Sequence, residues 1–250
     1  MKWNLLDTGF NRGRFNMDFD VELVQRKLMD QTFLRFYRWK PYCISLGFNQ
    51  LLESIDSERA KKDNIDIVRR PTGGRAILHA EELTYSVVYP VNGSYSPRTL
   101  YHEINIALKM GLEIYHPSLQ KLKLEHNQPH FQSFYKENKS TLCFAVSAKN
   151  EIHFMDKKLV GSAQRKIGNL VLQHGSILCG KFHLNLVDYL NMHNDEKDKI
   201  REEISRTTTE LSSIINEKVD YEKLIISLKA GFEKQFKISF EDNNVETVLN

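Results

Sequence analysis

The candidate chemistry of this chain starts from a thiol, because three cysteines stand at positions 43, 143 and 179 with no Cys-x-x-Cys pair among them. Cys143 sits in Ser140-Thr141-Leu142-Cys143-Phe144, just before a strand-like run. A lone cysteine between Leu and Phe is commonly a small buried hydrophobe. To be a nucleophile it needs to be a thiolate, and a nearby ammonium supplies that by stabilising the negative form. Lys158 is the candidate partner, in Lys157-Lys158-Leu159-Val160-Gly161-Ser162-Ala163-Gln164. If the strand begins early enough, alternation turns only one of the two lysines inward. Alone, adjacent lysines after Asp156 read as solvated turn residues.

Two further segments carry polar residues where a fold has to account for them. Arg69-Arg70-Pro71-Thr72-Gly73-Gly74-Arg75 puts two glycines between strands, which lets the backbone approach a ligand and aim N–H groups at an anion or a carbonyl oxygen. The same pair is most often a turn, and the spacing matches neither a Walker loop nor a dinucleotide fingerprint. Gln173-His174-Gly175-Ser176 interrupts the apolar run from Leu170 to Cys179, so these polar groups must find partners or line a pocket. A satisfied core histidine is the alternative reading of His174. His126 and His130 have helical ligand spacing, but Pro129 intervenes, and no metal is assigned.

The elements that must position these residues follow from periodicity. Asn16 is expected to cap a helix with Met17, Val21, Val24 and Leu28 on one stripe. Thr32 to Trp39 and Cys43 to Phe48 read as a hairpin turned at Lys40-Pro41, and the sheet is expected to begin there. A short helix over Ser57 to Asp63, a strand from Ile65 to Arg70 and strands at Arg75 to His79 and Leu83 to Tyr89 follow. Ser96-Pro97 opens the clearest helix, with Leu100, Ile104, Ala107, Leu108, Leu112 and Tyr115 on one face. His116 to Thr141 loses all periodicity and reads as a flap or insertion. Glu151 to Met155, Leu159 to Gln164 and Asn169 to Cys179 are three more strands. Helices at Leu184 to Met192, Lys197 to Glu203, Glu210 to Ile215 and Asp220 to Phe236 follow, with an edge strand at Lys237 to Phe240. The expected architecture is α/β, one domain over 1–250, with a mixed, mostly antiparallel sheet flanked by helices.

Composition narrows the class. The 250 residues are 41% hydrophobic and 27% charged, with 12 Gly and 6 Pro, which excludes a disordered tail or a fibre. Thirty-five basic against 32 acidic residues leave a formal charge of +3, too small to advertise nucleic acid. No apolar run approaches a membrane span or a signal peptide core, and the chain reads as cytosolic with reduced thiols.

Taken together, Arg69 to His79, Glu82-Leu83-Thr84-Tyr85-Ser86-Val87, Cys143-Phe144, Lys158 to Gln164 and Leu172 to Leu178 resemble the lipoate-protein ligase, octanoyltransferase and biotin ligase superfamily, most closely its cysteine-dependent octanoyltransferases. The resemblance runs from Trp3 through the late helices. It implies a single α/β catalytic domain and acyl transfer without ATP or any cofactor. Cys143 would be the nucleophile and Lys158, fifteen residues later, would lower its pKa. The implied donor is octanoyl-acyl carrier protein, and the implied acceptor is a lysine of a lipoyl domain, such as glycine cleavage H protein or 2-oxoacid dehydrogenase E2. Arg70, Gly73, Gly74 and Arg75 would belong to the substrate site, with the two glycines lining the acyl channel. His79 would sit at the site, backbone N–H groups of Gly161, Ser162 and Ala163 would hold the oxyanion, and Gln173 and His174 would border the pocket. Ala80 follows His79 where the family often has Asp, so a carboxylate role there is in doubt. An ATP-dependent lipoate-protein ligase is the nearest alternative, and its glycine loop typically reads Ser-Gly-Gly-Gly. An amidotransferase taking octanoate from another lipoyl domain is a second, and a silent module binding acylated carriers a third. Lys121, Lys123 and Lys136 are candidates for a basic patch facing an acidic carrier.

Overall fold

A computed structural model describes residues 2–26, 28–91, 95–125 and 151–241. Its eleven strands are β1 (Lys2–Asn11), β2 (Gln31–Trp39), β3 (Cys43–Leu46), β4 (Asp66–Arg69), β5 (Ile77–His79), β6 (Glu82–Pro90), β7 (Lys123–Leu124), β8 (Ile152–Phe154), β9 (Lys157–Ile167), β10 (Leu170–Leu178) and β11 (Phe240–Glu241). The helices are α1 (Gly13–Gln25), α2 (Ser57–Lys62), α3 (Pro97–Tyr115), α4 (Asn194–Thr207), α5 (Leu211–Ile215) and α6 (Tyr221–Phe236), with a 3-10 segment at Lys181–Tyr189. One sheet of eight strands runs β11-β1-β2-β6-β10-β9-β8-β7, and a smaller one runs β4-β3-β5. In the large sheet β1 is parallel to β2 and β11, and every other pairing is antiparallel.

Alternation along β2, β6 and β10 decides which residues meet where. Leu34, Phe36, Leu83, Tyr85, Val87, Val171 and Ile177 face one side and pack with Ile104 and Leu108 of α3 and with Leu224, Leu228 and Phe232 of α6. The opposite face carries Phe33, Val88, Leu170 and Leu172 against Phe19, Leu23 and Val24 of α1. Further along that face the residues turn polar, and the small sheet covers them. α2 and α4, with the 3-10 segment, close the far side of the small sheet through Ile44, Leu78, Ala60, Val187 and Ile204.

The helix at Ser96-Pro97 forms as expected, with Ser96 Oγ accepting the Thr99 N–H at 3.1 Å. Other expectations are corrected. β2 and β3 do not form a hairpin, because β2 pairs with β1 and β6 while β3 pairs with β4 and β5 in the other sheet. The sheet therefore starts at β1, which joins β2 through α1 as a parallel crossover. Asn16 is not a cap: Arg12 takes that position, and Asn16 is buried inside α1, where its amide donates to the carbonyls of Asn11 and Arg38. The region after His116 contains a short 3-10 turn and β7 before the described residues stop at 125.

α3 and α6 approach so closely that a Cβ on Gly231 would lie 2.4 Å from both the Ala107 carbonyl oxygen and the Gly111 nitrogen. Backbone cannot yield as a flexible side chain does, so Gly231→Ala is expected to cost about 1–3 kcal/mol. At this chain length that lowers the melting temperature by roughly 2–12 °C. An unchanged thermal melt would show that the helices separate without penalty.

Candidate active site

Strand register lines up the polar residues. Arg35, Ser86, His174 and Ala163 lie directly opposite one another across β2, β6, β10 and β9, and Tyr37, Thr84, Ser176 and Gly161 form the next row. Both rows face the small sheet, whose Ser45, Ile77 and His79 point back at them. Between lies a narrow cavity, lined also by Met17, Trp39, Arg70, Ser162 and Gly175. Glycine is required at 175, since a Cβ there would meet Tyr85 Cε1 and Ser162 Oγ at 2.8 Å. Those two side chains instead hydrogen-bond past it, Tyr85 Oη to Ser162 Oγ at 2.7 Å, and Gln173 donates to Tyr85 Oη at 2.9 Å.

Two buried carboxylates organise the wall. Asp20, from α1, accepts from Arg35 Nη1 at 2.8 Å, from Ser86 Oγ at 2.7 Å and from Tyr37 Oη at 3.2 Å. Its other neighbour is His174 Nδ1 at 3.4 Å, and His174 Nε2 lies 2.6 Å from Thr72 Oγ1. Burial raises the Asp20 pKa, but Arg35 and His174 outweigh it and hold the carboxyl below its ordinary value. Burial drives His174 the other way, below the ordinary histidine value. Glu82 accepts from Thr84 Oγ1 at 2.6 Å, Ser176 Oγ at 2.8 Å and His79 Nδ1 at 2.8 Å. His79 Nε2 lies 2.7 Å from Ser45 Oγ, and its ring stacks on Trp39 at 4.1 Å. Burial opposes Glu82 ionisation too, yet His79 and the two hydroxyls leave its pKa lowered. The wall is thus polar in composition but internally paired, so an apolar guest strips water from few unsatisfied groups.

Lys158 is buried, 1% exposed, rather than a solvated turn residue, and its Nζ lies 2.9 Å from Glu151 Oε2. Glu151 Oε1 accepts the Ser162 N–H at 3.4 Å, which ties the lysine to the cavity wall through that carboxylate. Lys157 keeps partial exposure and donates to the Ser205 carbonyl, as alternation requires.

Of the expected site residues, Arg70, His79, Gly161, Ser162, Ala163 and His174 line the cavity. Gly73, Gly74, Arg75 and Gln173 do not stand on its wall. Gly73 and Gly74 are exposed, and the Gly73 and Arg75 carbonyls accept from the Arg70 guanidinium. Gln173 belongs to the opposite face, between Tyr85 and Gln164. Cys143, with His126, His130 and Lys136, lies outside the described residues. Lys121 and Lys123 are exposed. The other two cysteines are buried, and burial raises both thiols, Cys43 well above its ordinary value and Cys179 up to about 12. Sequence reasoning missed Asp20, Glu82, Glu151 and Ser45. Among the described residues no cluster of His, Cys, Asp or Glu could hold a metal ion, and no helix is long and apolar enough to cross a membrane.

The fold is that of the lipoate-protein ligases. A bipartite lipoate protein ligase from Thermoplasma acidophilum superposes with a TM-score of 0.76 at 22% identity, over 98% of this chain and 88% of that one. A lipoate-protein ligase A bound with ATP gives 0.75 at 22% identity, over 98% and 90%. The family model of the lipoyl protein ligase A/B catalytic domain matches residues 12–233, and the chain belongs to that family. Similar sequences include octanoyltransferase LipM of Staphylococcus epidermidis, 31% identical over 96% of this chain and 88% of that protein, and LipM of Clostridioides difficile, 30% identical over 98% and 90%.

His153, His174 and His183 all have pKa values lowered by burial from the ordinary 6.5. Between 6.5 and those lower values the unfolded chain binds more protons than the folded one, so stability is fully present above about pH 6.5 and falls as the pH drops through the folded values. The urea midpoint is expected to be lower at pH 5.5 than at pH 7.5. An equal or higher midpoint at pH 5.5 would mean that the folded histidines already carry their protons.

Proposed function

We propose that this protein is an octanoyltransferase that moves an octanoyl group from acyl carrier protein to a lysine of a lipoyl domain through a thioester on Cys143. The observation that carries this reading is the buried Lys158, held by Glu151 against the wall of the cavity. Water screens a solvated lysine, whereas a buried ammonium, even one shared with Glu151, is poorly screened and favours a thiolate brought beside it. Elimination supports Cys143, since burial raises the thiols of Cys43 and Cys179. The likeness to LipM octanoyltransferases over nearly the whole chain supports the acyl group and the reaction class.

In this scheme the Cys143 thiolate attacks the thioester carbon of the donor, the carbon–sulfur bond to the carrier breaks, and the carrier leaves as a thiolate that takes a proton from solvent. The acyl-enzyme is then attacked by the acceptor lysine as a free amine. An amide forms as the carbon–sulfur bond breaks, the lysine nitrogen gives its proton to solvent, and the Cys143 thiolate is released. The thioester is already activated, so neither half requires ATP. The octanoyl chain lies in the cavity between the two sheets, with Met17, Trp39 and Ile77 as its apolar contacts. Acceptors are lipoyl domains such as glycine cleavage H protein or 2-oxoacid dehydrogenase E2, and the setting is the cytoplasm.

Purified protein mixed with octanoyl-acyl carrier protein, without ATP, is expected to gain one octanoyl mass that peptide digestion maps to Cys143 and that an added lipoyl domain removes. Lys158→Ala is expected to slow adduct formation by about a hundredfold, the order seen when one group stabilising charge at the reacting centre is lost. No adduct, together with ATP-dependent attachment of free octanoate or lipoate, would replace the transferase by a ligase. An adduct formed equally well from an octanoylated lipoyl domain would make it an amidotransferase.

A further inference from the structure

Two segments beside the cavity are fastened into one body. The glycine loop meets the loop that follows β3 so closely that a Cβ on Gly47 would lie 1.9 Å from the Gly74 carbonyl oxygen. The Phe48 N–H donates to the Thr72 carbonyl at 2.9 Å, and Thr72 in turn reaches His174 on the cavity wall. Two arginines complete the joint. Arg69 Nη1 donates to the carbonyls of Gly47, Phe48 and Gln50. Arg165 Nη1 donates to the Pro71 carbonyl at 2.7 Å, while its guanidinium carbon sits 4.2 Å from the Phe48 ring centroid. Backbone carbonyls orient both groups without neutralising them, and among the described residues neither guanidinium meets a carboxylate. Segments 47–52 and 69–75 contain three arginines and no acidic residue, so the local field is positive. On the outer side of this body Phe48, Leu51 and Leu52 are 49%, 71% and 46% exposed. An exposed aromatic and two leucines beside arginines have the composition of a protein-docking patch.

We propose that Phe48, Leu51, Leu52, Arg69 and Arg165 form the docking surface for the acyl donor, an acidic carrier protein whose thioester arm hangs from a phosphodiester. Naming the donor rests on the transferase reading, whereas the surface itself does not. All the printed bonds of Arg69 and Arg165 use Nη1, which leaves the Nε–Nη2 edge of each to grip a carboxylate or phosphate with two parallel hydrogen bonds. The acceptor fits less well, because its reactive lysine approaches as a cation and the arginines repel it. The loop is already held by Arg69 and by the Gly47–Gly74 contact, so docking has few groups left to order. Unmatched charge also steers an acidic partner toward the patch, and that steering weakens with salt.

The test compares two donors for the full chain: octanoyl-acyl carrier protein, and octanoyl-N-acetylcysteamine, a small uncharged thioester that needs no docking. Leu51→Asp and Arg165→Gln are each expected to lower kcat/KM for the carrier-bound donor by about tenfold, chiefly through KM. With the small thioester they are expected to change it by less than about threefold, as surface substitutions do. Arg165→Lys, which keeps the charge, is expected to retain more of the activity than Arg165→Gln. Equal losses with both donors, or none with the carrier, would overturn the proposal. So would a loss confined to transfer from acylated Cys143 to the lipoyl domain, which would give the patch to the acceptor. Co-sedimentation with phosphatidylglycerol–phosphatidylcholine vesicles that Leu51→Asp abolishes would give it to a membrane instead. Calorimetry with unacylated carrier protein separates this reading from the transferase: binding that both variants weaken about tenfold, with no adduct on Cys143, keeps the surface and removes the reaction. An adduct formed from the carrier equally fast in the variants does the reverse.

Discussion

The interaction on which the rest depends is the buried pair of Arg35 and Asp20, both without exposed side-chain surface. β2 lies between β1 and β6 and is covered on both faces, so alternation commits every second residue to one side or the other. Arg35 falls on the α1 side between Phe33 and Tyr37, and a guanidinium there is tenable only with a carboxylate and hydrogen bonds to its remaining donors. Asp20 supplies the carboxylate, Asn16 offers its backbone and side-chain oxygens, and Thr8 takes Nε, so the pair pins α1 to the sheet at one register. Phe19 and Tyr37 sandwich the guanidinium carbon at 4.4 and 4.0 Å, which adds cation–π attraction. Such a pair adds little net stability over a well-packed apolar replacement, but losing one partner alone costs about 3–5 kcal/mol.

From that anchor the polar network spreads in one direction. Asp20 reaches Ser86 and His174, His174 reaches Thr72, and Thr72 stands in the loop with the two glycines. Arg70 then fixes the same loop from below through the Gly73 and Arg75 carbonyls. The glycine loop is therefore not itself a wall of the cavity. It is a strap whose carbonyls are tied down so that Arg70 and Thr72 can face inward. Gly73 and Gly74 themselves are exposed, so any ligand they meet lies on the solvent side of the strap.

The local elements were legible because local chemistry sets them: Ser96-Pro97 dictates a helix start, and the stripe from Leu100 to Tyr115 dictates its buried face. Strand partners were not. Period-two alternation says which side a residue faces but not which strand lies beside it, and so β2 and β3, adjacent in sequence across Lys40-Pro41, were joined as a hairpin although they belong to different sheets. β1 was missed because polar Asn4, Asp7 and Thr8 break its pattern, the last two serving Arg38 and Arg35 from a strand near the sheet edge. The same limit governs the site. Cavity residues recognisable by motif, such as His79, Gly161 and His174, were found, whereas Asp20 and Glu151 look like any helix-surface or strand-end acid until the fold buries them.

That burial also lets a polar cavity suit the alkyl chain proposed for it. A hydroxyl or imidazole is hostile to hydrocarbon only when its hydrogen bond is unmade, because the cost lies in the lost partner and not in the atom type. Here Ser45, Ser176, Thr84 and Thr72 each reach a histidine or carboxylate of the wall. Trp39, whose Nε1 donates to Thr84 Oγ1 at 2.7 Å, likewise turns its polar edge away and leaves its ring to the cavity. Pairing this extensive makes the wall rigid, since moving one group orphans the next. In the proposed reading an acyl chain bound there loses little to reorganisation, and its reactive end falls to Lys158, whose partner Glu151 stands just before β8 and follows in sequence the segment that carries Cys143.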